Sequence, residues 1–503
     1  MFFLHYFILF VLFLFYLYKF SKDKPKGFPP GPLRLPIWGS YWFMLKENYK
    51  FSHHSFIALA KKYKTEILGV FLGSYPTVVV FSHKLCKEML TRDEFIGRPD
   101  TILTRARAFN KKLGIFFVEG LFWKEQRRFS LRHMRDFGFG RRSEIVEIIL
   151  DEEIRKIMEI ISNEPNESTE DICTKKGEIL FPDIFYAPFL NTIFWVMAST
   201  RFEHKFLRKI GRHLIESQRS TDATGCAVTF TPWLRHIAPG FFGYTGNVRN
   251  IEIVQETLNK IVEDHRKTFS KDLCRDFIDV YLVELKEIEE NTESTSFSYD
   301  QLLIIFLDYM FPSAIALSHT LNFYFAQLLN NPGIQEKIQQ EIDTVVGRGR
   351  LPTLDDRQHL PYTEASIRET IRINPINPLL LPRVCLQDTE LGGYLIPKNT
   401  IMFACVESAH MDETVWENPR KFSPERWLDP EGKLIKRDET LGFGAGKRLC
   451  AGETFGRQNM FLMAASLLQN FTFSPCGNAP DLNKQIPGAN VSLPNYRMKV
   501  TVR

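Results

Sequence analysis

Residues 441–452 read LGFGAGKRLCAG, one cysteine among four glycines beside the adjacent cations Lys447 and Arg448. Three kinds of chemistry need a flexible frame and fixed positive charge at such close quarters. The stretch could cradle phosphates, form part of a zinc knuckle, or lay a thiolate under a flat anionic cofactor. A phosphate loop requires G-x-x-x-x-G-K followed by Ser or Thr. Here Leu441 stands where the first glycine belongs and Arg448 follows Lys447, so that pattern fails. A zinc knuckle requires neighbouring thiols. The eight cysteines (86, 173, 226, 274, 385, 405, 450 and 476) are scattered, with no C-x-x-C pair. The thiolate reading is left.

Three further stretches carry charge at helical spacing. RETIR sets Glu369 and Arg372 at i,i+3, which in isolation reads as a surface ion pair of small value. FSPERW follows downstream with Arg426 and Trp427. WKEQRR sets Trp123 and Arg127 at i,i+4 on one helical face, in isolation an amphipathic helix with a snorkelling arginine. Arg383 closes the run NPLLLPR.

The elements that must position these residues follow from pattern. Over 503 residues, 44% are hydrophobic and 44 are Phe, enough apolar material for a large core and incompatible with disorder. A net charge of +5 is too mild to point to nucleic acid, and scattered thiols fit a reducing compartment. The first 18 residues, MFFLHYFILFVLFLFYLY, would make a helix of ~27 Å, about a bilayer's hydrocarbon thickness. No cationic leader or small-residue cleavage site accompanies them, so residues 1–18 read as an uncleaved membrane anchor rather than a signal peptide. Lys19, Lys22, Lys24 and Lys26 then place the body on the cytoplasmic side. Residues 19–32, ending in GFPPGP, form a basic, proline-stiffened hinge, and a single body is expected over 33–503. SHHSFIALAKKYK predicts a short helix. EILGVFL and PTVVVFS predict a hairpin across Gly-Ser, and TELGGYLIPKNTIMFAC predicts further strand. Residues 84–375 read as mostly helical, with 162–176 and 286–300 as polar surface loops. The fold class is mainly α with a small β lobe.

The spacing Phe443-x-x-Gly446-x-Arg448-x-Cys450-x-Gly452 resembles the haem-thiolate loop of the cytochrome P-450 family, and the resemblance extends over essentially the whole chain. It is similar in particular to the microsomal animal branch that includes drug- and steroid-oxidising enzymes. The resemblance implies the cytochrome P-450 fold and haem b (iron protoporphyrin IX) as cofactor. Cys450 would be the axial ligand to the haem iron, donating electron density that favours O–O cleavage. Phe443, Gly446 and Gly452 would shape its loop. Trp123, Arg127, Arg383 and Arg448 would hold the propionates. Glu369, Arg372 and Arg426 would form a buried ionic triad with a structural role, with Trp427 where many members carry Phe. The implied activity is a monooxygenase inserting one atom of O2 into a lipophilic substrate. Electrons would come from NADPH through a flavoprotein reductase, with a cytochrome b-type donor as a further partner. The setting would be the endoplasmic reticulum membrane, with the catalytic body cytoplasmic. Substrate contacts are expected from 100–120, 308–320, 376–382 and 487–492.

The distal helix, expected over 301–330, departs from the family. Most members carry an acid–threonine pair that relays protons during oxygen activation. Here those positions are Ile315 and Ala316, and Asp308 is the only acid in the segment. Pro312 is expected to kink the helix. Ser313, three residues before Ala316, is the best remaining hydroxyl; it, ordered water or a substrate hydroxyl would then supply protons. The departure leaves two alternatives open: a peroxide isomerase or dehydratase that needs no reductase, and a non-catalytic haem sensor. Arg128, Arg132, Arg135, Arg141, Arg142 and Lys447 would suit an acidic electron donor if they share a face, or else form a generic solvated surface.

Overall fold

The computed structural model describes residues 2–503 apart from 176, 223, 225 and 292–294. Most of the chain is helical, and its nine described strands form three small sheets. β1 (Ile67–Leu72) and β2 (Tyr75–Val80) are β-branched and aromatic, and they pair antiparallel through a two-residue turn. Gly73 takes φ +61° there, a conformation that a side chain resists. β3 is Glu178–Phe181 and β4 is Arg383–Val384. β5 (Thr389–Leu391) and β6 (Tyr394–Ile396) form a separate hairpin. β7 (Ile401–Ala404) lies parallel to β2 and antiparallel to β4, giving the sheet order β1-β2-β7-β4. β8 (Phe471–Pro475) and β9 (Tyr496–Val502) complete a third sheet in the order β3-β9-β8.

The helical body is organised around Tyr299–Asn330, a helix of 32 residues and ~48 Å. It is apolar all round because other helices surround it. By length and hydropathy it could cross a membrane, but 83% of its apolar window is buried within the protein, so it is a core helix. Tyr186–Ala198, Tyr244–Thr268, Pro361–Ile373 and Glu453–Asn470 pack on it. Pro312 lies inside it, within one continuous helix.

Several expected elements appear with shifted ends. The N-terminal helix spans Phe2–Lys22, four residues beyond the apolar stretch. The glycine- and proline-rich segment after it is docked on the sheet lobe, not free. Pro30 O accepts the Gly69 amide at 2.8 Å, and a Cβ added to Gly31 would lie 1.9 Å from Gly69 O. Phe28 is buried with its ring 5.7 Å from that of Phe71. The expected loop over 286–300 is corrected in part. Helix Phe277–Asn291 covers its first six residues, since a charged helix end and a polar loop have the same composition.

Candidate active site

The cysteine loop leads directly into helix Glu453–Asn470. Its frame is backbone: Cys450 N donates to Phe443 O at 2.9 Å, Gly444 N to Leu441 O at 2.8 Å and Leu449 N to Gly446 O at 3.0 Å. Gly446 adopts φ +69°, and a Cβ there would stand 2.5 Å from Leu90 O. The loop therefore closes on helix His83–Thr91 only with glycine at this position. Cys450 is an exposed residue, while its thiol lies deep enough in the protein to be desolvated. Burial pushes its thiol up, while the Gly452 amide and Arg127 pull it down.

Trp123 and Arg127 both project from helix Gly120–Asp136 toward this loop. Arg127 Nη2 donates to Leu449 O at 2.6 Å. The Arg448 guanidinium lies 3.6 Å from the centre of the Trp123 ring. Arg448 also donates to Ile96 O and Val118 O, and Arg383 donates to Leu90 O and Ala445 O. A fourth arginine joins them: Arg98, which donates to Phe116 O, Leu381 O and Pro382 O. Nothing in the sequence marked it beyond a lone cation between Gly97 and Pro99.

The four guanidinium groups suit a dianionic ligand. Burial first, and then Arg448, Arg383 and Arg127, hold Arg98 well below the usual arginine range. Burial and the same repulsion push Arg448 down to about 9, and burial brings Arg383 to about 10. One carboxylate, Glu119, opposes them. Trp123 Nε1 is buried without a hydrogen-bond partner. Converging cations and an orphaned donor fit the two propionates of haem, whose charge would offset the repulsion.

Between 301 and 329 the long helix is buried throughout except at Phe311, Pro312 and Ala316. Pro312 and Ala316 stand at i,i+4, so one narrow face of a core helix keeps accessible surface. Ser313 and Ile315 are buried. The Ser313 hydroxyl donates back to Tyr309 O of its own helix at 2.8 Å, so its proton already has an acceptor away from that face. Asp308, one turn before Pro312, is fully buried. It pairs with Arg107 and accepts the Ile115 amide at 2.6 Å and the Phe116 amide at 3.2 Å. It therefore straps the 107–116 segment, part of the expected substrate wall, onto the long helix. Burial pushes its carboxyl up, and Arg107 with the two amides holds it back.

Glu369, Arg372 and Arg426 meet. Arg372 donates to both Glu369 oxygens at 2.8 Å, and Arg426 Nε donates to Oε1 at 3.0 Å. Trp427 Nε1 adds a bond to Glu369 Oε2 at 3.0 Å, a contact that phenylalanine could not make. Arg372 also donates to His410 O at 2.9 Å. His410 links this network to the cysteine loop: its Nδ1 donates to Arg372 O, and its Nε2 accepts the Leu441 amide, both at 2.8 Å.

Burial pushes His410 down to about 3. Its neutral form is the one the fold requires, so its contribution is complete above the unfolded value of ~6.5 and is lost as pH falls toward 3. Each pH unit in that window costs ~1.4 kcal/mol, about 2 kcal/mol between pH 6.5 and 5. Buried His53 (about 4) and His319 (about 3) add to the same slope. Denaturant unfolding at a series of pH values should therefore show a shallower slope for His410→Gln, by one proton's worth, than for the unaltered protein. Equal slopes would remove His410 from the account.

The family model for Cytochrome P450 matches residues 29–502. The chain is 30% identical to farnesoate epoxidase of Bombyx mori, over 97% of this chain and 96% of that protein. It is 35% identical to cytochrome P450 2J3 of Rattus norvegicus, over 98% and 92%. It is 32% identical to the probable cytochrome P450 303a1 of Drosophila melanogaster, over 95% of each. A cysteine in a glycine frame, a cradle of arginines and a family match over nearly its full length agree: the chain belongs to the cytochrome P450 family, whose members bind haem b, and is a monooxygenase of the oxidoreductase class.

Proposed function

We propose that this protein is a haem-thiolate monooxygenase of the endoplasmic reticulum membrane that draws NADPH electrons from a flavoprotein reductase and oxygenates a lipophilic substrate. The observation that carries this reading is the Cys450 loop facing three buried arginines, Arg98, Arg383 and Arg448, with the half-buried Arg127 and the unpartnered Trp123 Nε1 beside them. Bound through the Cys450 thiolate, haem supplies dioxygen activation and delivery of one oxygen atom. The chain's own residues do the rest. Arg98, Arg127, Arg383, Arg448 and Trp123 hold the propionates, and Phe443, Gly446 and Gly452 shape the loop that presents the sulfur. The face at Phe311, Pro312 and Ala316 borders substrate.

Membrane attachment would be through Phe2–Lys22, which exposes Tyr6, Phe7, Ile8, Val11, Leu12, Phe15 and Tyr18. The lysines after the apolar stretch favour a cytoplasmic body. For the electron donor, Lys124, Arg128, Arg132 and Arg135 form an exposed stripe on helix Gly120–Asp136, and the three arginines have no ion-pair partner among the described residues. Arg142 and Lys447 are instead engaged by Glu147, Asp355 and Asp93. The stripe suits an acidic reductase or a cytochrome b-type donor. A lipophilic substrate is in keeping with the relative named for epoxidation of farnesoate.

With no acid or alcohol at Ile315 and Ala316, and with Ser313 bonded to Tyr309 O, water or a substrate hydroxyl on the Pro312–Ala316 face is assigned proton delivery. Ser313→Ala is expected to leave product formed per NADPH near its original value. Ala316→Leu fills the accessible face and should lower that ratio severalfold, because positioned proton delivery is worth ~10²–10⁴-fold. The reverse pattern would return the role to Ser313.

A second reading draws support from the same Ile315–Ala316 departure: a peroxide isomerase or dehydratase without a reductase. Reconstitution in vesicles against a panel of lipophilic compounds separates the two. Product that requires NADPH, reductase and oxygen supports the monooxygenase. Rearranged product from an organic hydroperoxide, with no NADPH consumed, supports the alternative.

A further inference from the structure

Away from the haem site, helix Ser52–Tyr63 opens with two consecutive histidines, and the short helix Val406–His410 turns Glu407 toward both. His53 Nε2 lies 3.2 Å from Glu407 Oε2, and His54 Nε2 lies 3.3 Å from Glu407 Oε1. The two imidazole rings are 4.3 Å apart, and the donor atoms of all three residues lie within 4.8 Å of one another. Ligands of a tetrahedral zinc, each at 2.0–2.2 Å from the metal, stand ~3.3 Å apart, the scale of both His–Glu separations, although each histidine faces a different carboxylate oxygen and His54 Nε2 shares a hydrogen bond with Oε1.

The internal bonding of the cluster leaves ligand capacity unused. Glu407 Oε2 is buried and makes no hydrogen bond, although His53 Nε2 is 3.2 Å away. The two atoms are close but not aligned as N–H···O, as expected where both present lone pairs to a shared space. A comparable group, His265 with Asp276 and Asp279, is closed by contrast. There Arg275 donates to both Asp279 oxygens, while the Asp279 amide and His265 occupy Asp276. Glu407 also lines a groove of about 490 Å³ on the protein surface, with the two histidines behind it rather than in its wall. The ligand set of two imidazoles and one carboxylate, with one position left for water, is that of zinc rather than of calcium or magnesium.

We propose that His53, His54 and Glu407 form a zinc-binding site that ties helix Ser52–Tyr63 to helix Val406–His410. Arg420 lines the same groove and opposes a dication, which sets the expected affinity in the micromolar range. Zinc here would act on the haem site at a distance. The helix that carries Glu407 also carries His410, which holds the Leu441 amide at the start of the cysteine loop. Occupancy is therefore expected to raise the temperature at which haem is lost.

The test uses untagged holoenzyme, treated with chelator, desalted and titrated with Zn²⁺ by equilibrium dialysis. One zinc per chain is expected, with a zinc-edge X-ray absorption spectrum showing two imidazoles and oxygen ligands, distinct from the haem iron. His54→Ala alters a half-exposed side chain, and Glu407→Gln keeps the shape of the carboxylate. Each should retain the haem spectrum, weaken zinc binding at least tenfold and abolish the zinc-induced rise in melting temperature. Less than one zinc per chain at saturating micromolar metal would overturn the proposal. So would unchanged affinity in both variants.

Discussion

Replacing Cys450 with alanine is expected to leave a folded protein that has lost its thiolate haem spectrum and at least ~10³-fold of its oxygenase activity, ~4 kcal/mol of barrier. The loop should survive because it is held by groups that the change does not touch. Cys450 contributes its backbone amide to Phe443 O, Gly446 closes against Leu90, and Arg127 fastens Leu449 O. The sulfur supports none of that frame. What should disappear is the proposed thiolate ligand to the haem iron, which no other residue in the loop can replace. The reduced carbon monoxide complex reports the ligand directly, and it should lose its thiolate-type band while the far-ultraviolet circular dichroism is unchanged. Cys476→Ala, at a partly exposed cysteine distant in sequence, should change neither. Retention of the thiolate band in the Cys450 variant would place the axial ligand elsewhere.

Glu369→Ala should be the most destabilising single change in the chain outside the cysteine loop, at ~3–5 kcal/mol. Glu369 and Arg372 are fully buried, and Arg426 reaches the same carboxylate from the surface side. Removing the carboxylate strands the Arg372 guanidinium without its counter-charge and leaves the Trp427 Nε1 and Ser423 amide donors unpaired. The damage should spread, because Arg372 also binds His410 O and His410 holds Leu441, so haem retention should fall together with stability. Trp427→Phe keeps the ring but loses one bond to a charged acceptor, and should cost only ~1.5–3 kcal/mol. Denaturant unfolding followed in parallel by haem absorbance and circular dichroism checks both values. A Glu369 variant as stable as the Trp427 variant would show that the network is not the lock between these segments.

Residues that act within a short fixed spacing could be read from the sequence, and residues whose partners lie far along the chain could not. Cys450 with its glycines, Trp123 with Arg127, and Glu369 with Arg372 are each set by a loop or by one turn of helix, and the structure keeps each group together. Arg98 bonds to carbonyls at 381 and 382, and His410 to the amide of Leu441. No local pattern encodes those meetings. Asp308 shows the boundary. An acid buried inside an apolar helix needs partners, and only the fold supplies Arg107 and the amides of 115 and 116. The Ser313 hydroxyl turns back onto the carbonyl of Tyr309, a bond that spacing does not reveal, and the Ser313→Ala variant tests what role it keeps. The segment 27–32 read as a stiff spacer because glycine and proline suit both a hinge and a close approach, and here Gly31 and Gly69 make the approach. Composition likewise could not separate the charged end of helix Phe277–Asn291 from a loop.

The central claim is that this chain places one atom of dioxygen into an organic substrate with electrons delivered from outside. It is tested most directly by mass spectrometry of product formed from a lipophilic panel under ¹⁸O₂, with NADPH and a flavoprotein reductase present. The account predicts product that carries one labelled oxygen, in an amount that tracks NADPH consumed and vanishes with Cys450→Ala. Product without label, or product formed equally well from a hydroperoxide in the absence of NADPH, would contradict it.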